Sequence, residues 1–134
     1  MDDNMYREQI IDLYENPLNY GVLESPDFSY EEDNPLCGDV IRISVELDNK
    51  DRIVDVKWEG EGCAISLASA SLLTEEIKGR SLDEIKEFSK EQLLDLLGIQ
   101  LSMTRVKCAL LSLKVLKAGA YGMPDAEEMR KEGG

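Results

Sequence analysis

Val56-Lys57-Trp58-Glu59-Gly60-Glu61-Gly62-Cys63-Ala64-Ile65-Ser66-Leu67-Ala68-Ser69-Ala70-Ser71 reads as a strand that breaks on two glycines, presents a cysteine and continues as a helix of small residues. A thiol in that place sits in the first turn of a helix, where free backbone N–H groups and the helix dipole favour an anion. Thiolate character makes a cysteine a better metal ligand or sulfur nucleophile. Gly60 and Gly62 lack a Cβ, so the backbone can turn sharply there and approach whatever the sulfur holds. The same residues are compatible with Cys63 as a small buried apolar side chain, the usual place of a lone cysteine. This stretch alone leaves both readings open.

Working back from it, Val54, Val56 and Trp58 alternate with Asp55, Lys57 and Glu59. Ile41, Ile43, Val45 and Leu47 alternate in the same way with Arg42, Ser44, Glu46 and Asp48. Period-two alternation marks half-buried strands. Asp48-Asn49-Lys50-Asp51 supplies a turn between them, which predicts an antiparallel hairpin. A third short strand is expected around Asp27 to Glu31, within a loop-like stretch from Leu18 to Asn34. Tyr6 to Asn16 reads as an amphipathic helix with Ile10, Leu13 and Tyr14 on one face and Asn16-Pro17 as its stop.

Working forward, Ile65, Ala68, Leu72 and Ile77 mark one helical stripe, closed by Lys78-Gly79. Ser81-Leu82-Asp83-Glu84 is a capping-box pattern that opens another helix. Lys90 to Leu97 is leucine-rich and stops at Gly98. Thr104 to about Gly119 is helical again, with Val106, Leu110, Leu113 and Leu116 or Lys117 on one side. Residues 123–134 form a charged tail that reads as frayed. Strands come first and helices follow, which predicts one α+β domain over residues 1–134: a small antiparallel sheet of about three strands covered on one face by helices.

Charge and composition exclude several classes of function. Fifteen Lys and Arg stand against 28 Asp and Glu in 134 residues, a formal charge of −13. That balance lacks the basic patches that grip nucleic acid or an anionic membrane surface. It fits a protein whose partners carry basic docking faces. The start, Met1-Asp2-Asp3-Asn4, has no signal-peptide pattern, and the uncharged run from Gly62 to Thr74 is too short and too serine-rich to cross a bilayer. Three widely separated cysteines make a poor disulfide framework, and in the cytoplasm, where these features place the chain, such cysteines are more often catalytic or metal-binding. Histidine is absent, so any metal site must use thiolates, carboxylates, backbone or water.

Cys37-Gly38-Asp39 leads straight into the strand from Ile41. If its alternation extends back, Cys37 and Asp39 point to the same side as Ile41, Ile43 and Val45, the face that helices should cover. A carboxylate there costs free energy unless it is paired or metal-bound. The alternative is that Asp39 caps a turn, since Gly-Asp is ordinary loop chemistry. Cys108 falls in the first two turns of the last long helix, with Ser102 or Thr104 as its N-cap. Arg105 and Lys107 add positive charge beside it, which favours thiolate. Three thiols and one carboxylate can close a tetrahedral site around zinc or supply the protein ligands of an iron–sulfur cluster. Their spacing along the chain is compatible with convergence and does not establish it.

Leu36-Cys37-Gly38-Asp39-Val40, the glycine–cysteine–serine stretch from Gly60 to Ser71, Lys78-Gly79 and Arg105-Val106-Lys107-Cys108-Ala109 together resemble the iron–sulfur cluster scaffold family. That group contains IscU, SufU and the N-terminal domain of NifU. Tyr14-Glu15-Asn16-Pro17-Leu18-Asn19-Tyr20-Gly21 is similar to the family's N-P-x-N-x-G entry, with tyrosine where a histidine is common. The resemblance spans about Tyr6 to Gly122 and implies a SufE/NifU-like fold.

The resemblance also implies function: a scaffold on which a 2Fe–2S cluster is built from iron and sulfur delivered by a cysteine desulfurase, then passed to apo-protein acceptors. Cys37, Cys63 and Cys108 would be the sulfur ligands and persulfide acceptors. Asp39 would be the fourth ligand, or the residue that keeps the cluster labile. A cluster shared between copies of the chain, and hence a homo-oligomer, is compatible with such a set. Two departures bear on the branch. IscU-type members usually carry a histidine just before the third cysteine, where this chain has Lys107. Arg105 looks more like the SufU branch, in which it would pair with Asp39, yet the insertion of that branch between the second and third cysteines is missing. The competing readings are a zinc-dependent SufU-type sulfurtransferase using the same residues, and a domain with a purely structural zinc. A structural site would favour four permanent thiolates, so Asp39 counts against the last.

Overall fold

The strand alternation lays down the sheet that carries everything else. The computed structural model describes residues 3–34, 38–98 and 100–122. In chain order its elements are α1 (Asp3–Glu15), β1 (Phe28–Asn34), β2 (Asp39–Leu47), β3 (Ile53–Glu61), α2 (Ala64–Ile77), α3 (Leu82–Glu87), α4 (Lys90–Leu97) and α5 (Met103–Gly122). The strands form one antiparallel sheet in the order β1-β2-β3. This is the α+β architecture expected from the sequence, with β1 longer than the short strand anticipated. The tail at 123–134 and Cys37 lie outside the described residues.

One face of the sheet is the core. Phe28, Ile41, Ile43, Val45, Ile53, Val56 and Trp58 are buried on it against α2 and α5. The other face is charged: Arg42 on the middle strand reaches Glu31 at 3.1 Å on one side and Glu59 at 3.3 Å on the other. Such exposed pairs set cross-strand neighbours and add little stability. The β2–β3 turn is held by Asp48, whose Oδ1 accepts from the backbone N–H of Arg52 at 2.9 Å and of Lys50 at 2.8 Å. These two bonds, that of Arg52 first, hold its carboxyl below the usual aspartate range.

The alternation of β3 departs from expectation at its start. Val54 is half exposed, whereas Ile53 is buried. Leu47 pairs with Ile53 and Glu46 with Asp55, so Val54 is an extra residue in a β-bulge. The bulge flips the parity of the strand, and Ile53 takes the core position. From Asp55 onward the expected alternation holds.

α2 is the central helix. Ser66, Ala68, Ser69, Ala70, Ser71, Leu73, Thr74 and Ile77 are all buried, so the expected single stripe through Ile65 and Leu72 is too narrow. Small residues let β3, α1, α4 and α5 approach it from several sides. Its hydroxyls stay paired: Ser69 Oγ donates to the Ile65 carbonyl and Thr74 Oγ1 to that of Ala70, each at 2.7 Å. On α1, Ile10 and Leu13 pack on Ala68, Leu97 and Ala109, while Tyr14 faces solvent instead of sharing that buried face. Of the expected α5 stripe, Leu113 and Leu116 are buried, whereas Val106 and Leu110 are only partly so, and Cys108, Leu111 and Val115 are buried as well. Both predicted stops, Gly79 and Gly98, have positive φ. The capping box on Ser81 and Glu84 forms as expected, and Ser89 with Gln92 makes a second.

Asn16 to Gly21 runs along the free edge of β3. The Trp58 indole Nε1 donates to the Leu18 carbonyl at 2.7 Å, the Trp58 N–H donates to that of Asn19 at 3.0 Å, and Gly21 N–H donates to that of Trp58 at 2.8 Å. Asn19 adopts φ 61°, a left-handed conformation that asparagine tolerates. Its Nδ2 donates to Thr74 Oγ1 at 3.1 Å, and Leu18 N–H donates to Ser71 Oγ at 3.1 Å. The N-P-x-N-x-G segment therefore pins the sheet edge to the middle of α2.

Candidate metal centre

The core-face parity of β2 reaches its first residue. Asp39 is 1% exposed and points to the same side as Ile41. Beside it, β3 ends at Glu61 and the chain turns directly into α2 with Cys63 as N-cap, in extended conformation (φ −75°, ψ 164°). The thiol thus lies at the cap, one position before the first turn expected. Cys108 is fully buried in the second turn of α5. That helix starts under a hydrogen bond from the Arg105 N–H to Ser102 Oγ at 3.3 Å, which makes Ser102 the cap rather than Thr104.

These three elements bring Asp39, Cys63 and Cys108 together, with one donor atom from each within 4.8 Å of the others. Cys63 Sγ lies 3.9 Å from Asp39 Oδ2. In a tetrahedral zinc site, a thiolate and a carboxylate oxygen at ordinary bond lengths stand about 3.6 Å apart. Cys63 and Asp39 are therefore already near the spacing a single ion requires, and two soft sulfurs with one hard oxygen suit zinc or iron. Cys63 is partly exposed and the other two are buried, so the cluster opens to solvent at the Cys63 side. Arg105 and Lys107 are exposed, and among the described residues Arg105 forms no ion pair with Asp39. Lys107 instead lines a cavity of about 280 Å³ with Asp33, Asn34, Leu110, Leu111 and Lys114.

The carboxylate is held by protein donors. Oδ1 accepts the Cys63 backbone N–H at 3.0 Å, and Oδ2 accepts the Ser66 hydroxyl at 2.5 Å. Ser66 lies within the stretch singled out from sequence but carries no expectation there. The available signal is its place three residues after Cys63, which puts both on one helix face.

The two glycines before Cys63 are explained by close approach rather than by a sharp turn, since neither has positive φ. β3 continues through Gly60, where a Cβ would sit 2.1 Å from the Val40 carbonyl oxygen. At Gly62 a Cβ would sit 2.4 Å from Asp39 Oδ1 and 2.8 Å from Cγ. Gly62→Ala is therefore expected to push the carboxylate off the Cys63 N–H. Zinc affinity, measured by competition with a chromophoric chelator, should fall roughly 10- to 100-fold, as for losses of ligand support elsewhere. Unchanged affinity would refute the placement.

Known proteins of this shape and sequence carry related descriptions. The NifU-like N terminal domain family matches residues 5–128. The zinc-dependent sulfurtransferase SufU of Bacillus subtilis is 40% identical over 134 residues, covering 87% of this chain and 90% of that protein. The iron–sulfur cluster assembly scaffold protein IscU of Haemophilus influenzae is 36% identical over 116 residues, covering 84% and 90%. A crystal structure from Fervidobacterium islandicum, described as an iron–sulfur cluster assembly scaffold for the SUF system, superposes with a TM-score of 0.74 at 29% identity. It covers 89% of this chain and 99% of that one.

Proposed function

As the chain belongs to the NifU-like N-terminal domain family, we propose that it is a single scaffold domain on which a 2Fe–2S cluster is assembled and from which it passes to apo-proteins. The observation that carries this reading is the convergence of Asp39, Cys63 and Cys108 within 4.8 Å at a partly open rim. Cys37, two residues before Asp39 in sequence, supplies the third thiolate of the set. The cluster is cargo, so its site must both hold and release. Thiolates do the holding. The carboxylate is the harder, weaker ligand for iron and leaves one corner exchangeable. Asp39 can step off the metal with both oxygens still paired, to the Cys63 N–H and the Ser66 hydroxyl, so release strands no buried charge.

Sulfur comes from a cysteine desulfurase. The outer sulfur of its persulfide is attacked by a scaffold thiolate, the desulfurase thiolate leaves, and an external reductant later supplies the electrons that turn that sulfur into sulfide. Cys63 is the accessible acceptor of the two thiols the structure describes. The second reading, a zinc-dependent sulfurtransferase, is favoured by the 40% identity to the Bacillus subtilis protein. It uses the same thiols with zinc as the organising ion.

Anaerobic incubation with iron, cysteine, a desulfurase and a thiol reductant discriminates the two. The scaffold reading expects visible charge-transfer absorption and transfer of the cluster to an apo-ferredoxin. Stoichiometric zinc with stimulated desulfurase turnover and no cluster would select the sulfurtransferase. Asp39→Ala is expected to slow transfer roughly tenfold and prolong the life of the cluster, because the exchangeable corner is lost. Unchanged transfer kinetics would remove that role from Asp39.

A further inference from the structure

Ser66 is fully buried, and its hydroxyl reaches all three residues of the donor cluster. Oγ lies 2.5 Å from Asp39 Oδ2, 3.6 Å from Cys63 Sγ and 3.1 Å from the backbone carbonyl of Cys108. One side chain thus touches a group from each of the three residues that converge here. A hydroxyl has a single proton to donate and two lone pairs to accept with. Asp39 Oδ2 and the Cys108 carbonyl are both acceptors, so they compete for that one proton, and the carboxylate at the shorter distance is the better placed. Oδ2 is also the oxygen that stands 3.9 Å from Cys63 Sγ, close to the separation of two ligands on one ion. A carboxylate oxygen has lone pairs enough to bind a metal and accept a hydrogen bond at once.

We propose that Ser66 is a positioning residue for metal binding. Its hydroxyl fixes Asp39 Oδ2 toward Cys63 and Cys108, so that the carboxylate arrives pre-aimed as the oxygen ligand. This rests on the reading of Asp39, Cys63 and Cys108 as the metal-binding set. Two protein donors, the Cys63 N–H on Oδ1 and the Ser66 hydroxyl on Oδ2, define the plane of the carboxylate. With the second removed, rotation about Cβ–Cγ is restrained at one oxygen only. Outer partners of this kind typically contribute 10- to 100-fold in metal affinity.

The test is a double-mutant cycle read as zinc affinity, with a chromophoric chelator competing for the ion. Alanine keeps helix propensity and removes only the oxygen, so Ser66→Ala leaves α2 formed. It should bind zinc roughly 10- to 100-fold more weakly than the unaltered protein. Ser66→Thr, which retains the hydroxyl, should recover most of that loss. Because Ser66 acts through Asp39, the double variant Ser66→Ala/Asp39→Ala should bind as Asp39→Ala does, within about twofold. A purely structural serine would lower affinity in both backgrounds alike. The proposal is overturned if Ser66→Ala binds as tightly as the unaltered protein while Asp39→Ala does not, or if the two losses multiply in the double variant. If Asp39→Ala and Cys63→Ser themselves leave zinc binding untouched, the metal-binding reading fails, and this inference falls with it.

Discussion

Cys63→Ser is expected to weaken zinc binding by more than roughly 100-fold and, in the same protein, to raise the melting temperature of the metal-free form. The two effects have opposite signs because Cys63 occupies a position that a folding argument would give to another residue. It is the N-cap of α2, with the extended backbone that caps adopt, yet its side chain makes no capping hydrogen bond. Serine is among the best residues at that place, since its oxygen accepts from the N–H of the second or third helical residue. The gain should be about 0.5–1 kcal/mol in the absence of metal. Serine is at the same time a poor ligand for zinc or iron, because its hydroxyl stays protonated where a thiol gives thiolate. Loss of a direct ligand should exceed the roughly 100-fold that bounds the loss of an outer partner. Thermal melts with and without zinc, together with chelator competition, check both halves. A variant that melts lower without metal would show that the contacts of the Cys63 thiol with Asp39 and Ser66 outweigh the gain at the cap. One that binds zinc normally would remove Cys63 from the site.

Trp58→Ala should produce the largest loss of stability. The indole is 1% exposed in the middle of the core, and its Nε1 is bonded to the Leu18 carbonyl. Tyr20 packs edge-on against it with ring centroids 4.9 Å apart. Truncation removes a large apolar volume from a packed interior and leaves that carbonyl without its donor. About 3–5 kcal/mol is the usual cost, a drop of roughly 10–20 °C in melting temperature for a domain of this size. The effect should be local as well as global. Freed of its anchor, the segment from Asn16 to Gly21 should show much faster amide hydrogen exchange than β2 in the same variant. Exchange that rises equally in both would mean that the indole does not hold this edge.

The sheet and its most consequential residue were legible because parity is a local property. Ile41, Ile43 and Val45 fix a face, and two steps back along the same strand the same rule places Asp39 on it. Bringing Cys63 and Cys108 to that carboxylate is a tertiary fact, and their spacing along the chain leaves it open. It became an expectation only through the resemblance of several ordered motifs to a known family. What stayed hidden depends on register. Gly60 is glycine because Ile41 lies opposite it and the Val40 carbonyl fills the space of a Cβ. Val54 faces solvent because a bulge between Glu46 and Leu47 leaves it without a partner. α2 reads as a helix with one apolar stripe, although its serines and Thr74 are buried too. Hydroxyls that bond back to their own helix can enter a core without cost to the pairing rule, and hydrophobic periodicity does not register them. Ser66 carries no expectation for a different reason: its hydroxyl bonds to Asp39 on β2 and to the Cys108 carbonyl on α5, which are tertiary partners.

X-ray absorption at the zinc K edge of the zinc-loaded protein tests the central claim most directly, because it counts the atoms bound to the ion. Three sulfurs at about 2.3 Å and one oxygen at about 2.0 Å are expected, with one sulfur lost in Cys63→Ser. A shell of nitrogen and oxygen alone, or one unchanged by that substitution, would show that the thiols and the carboxylate do not share a metal.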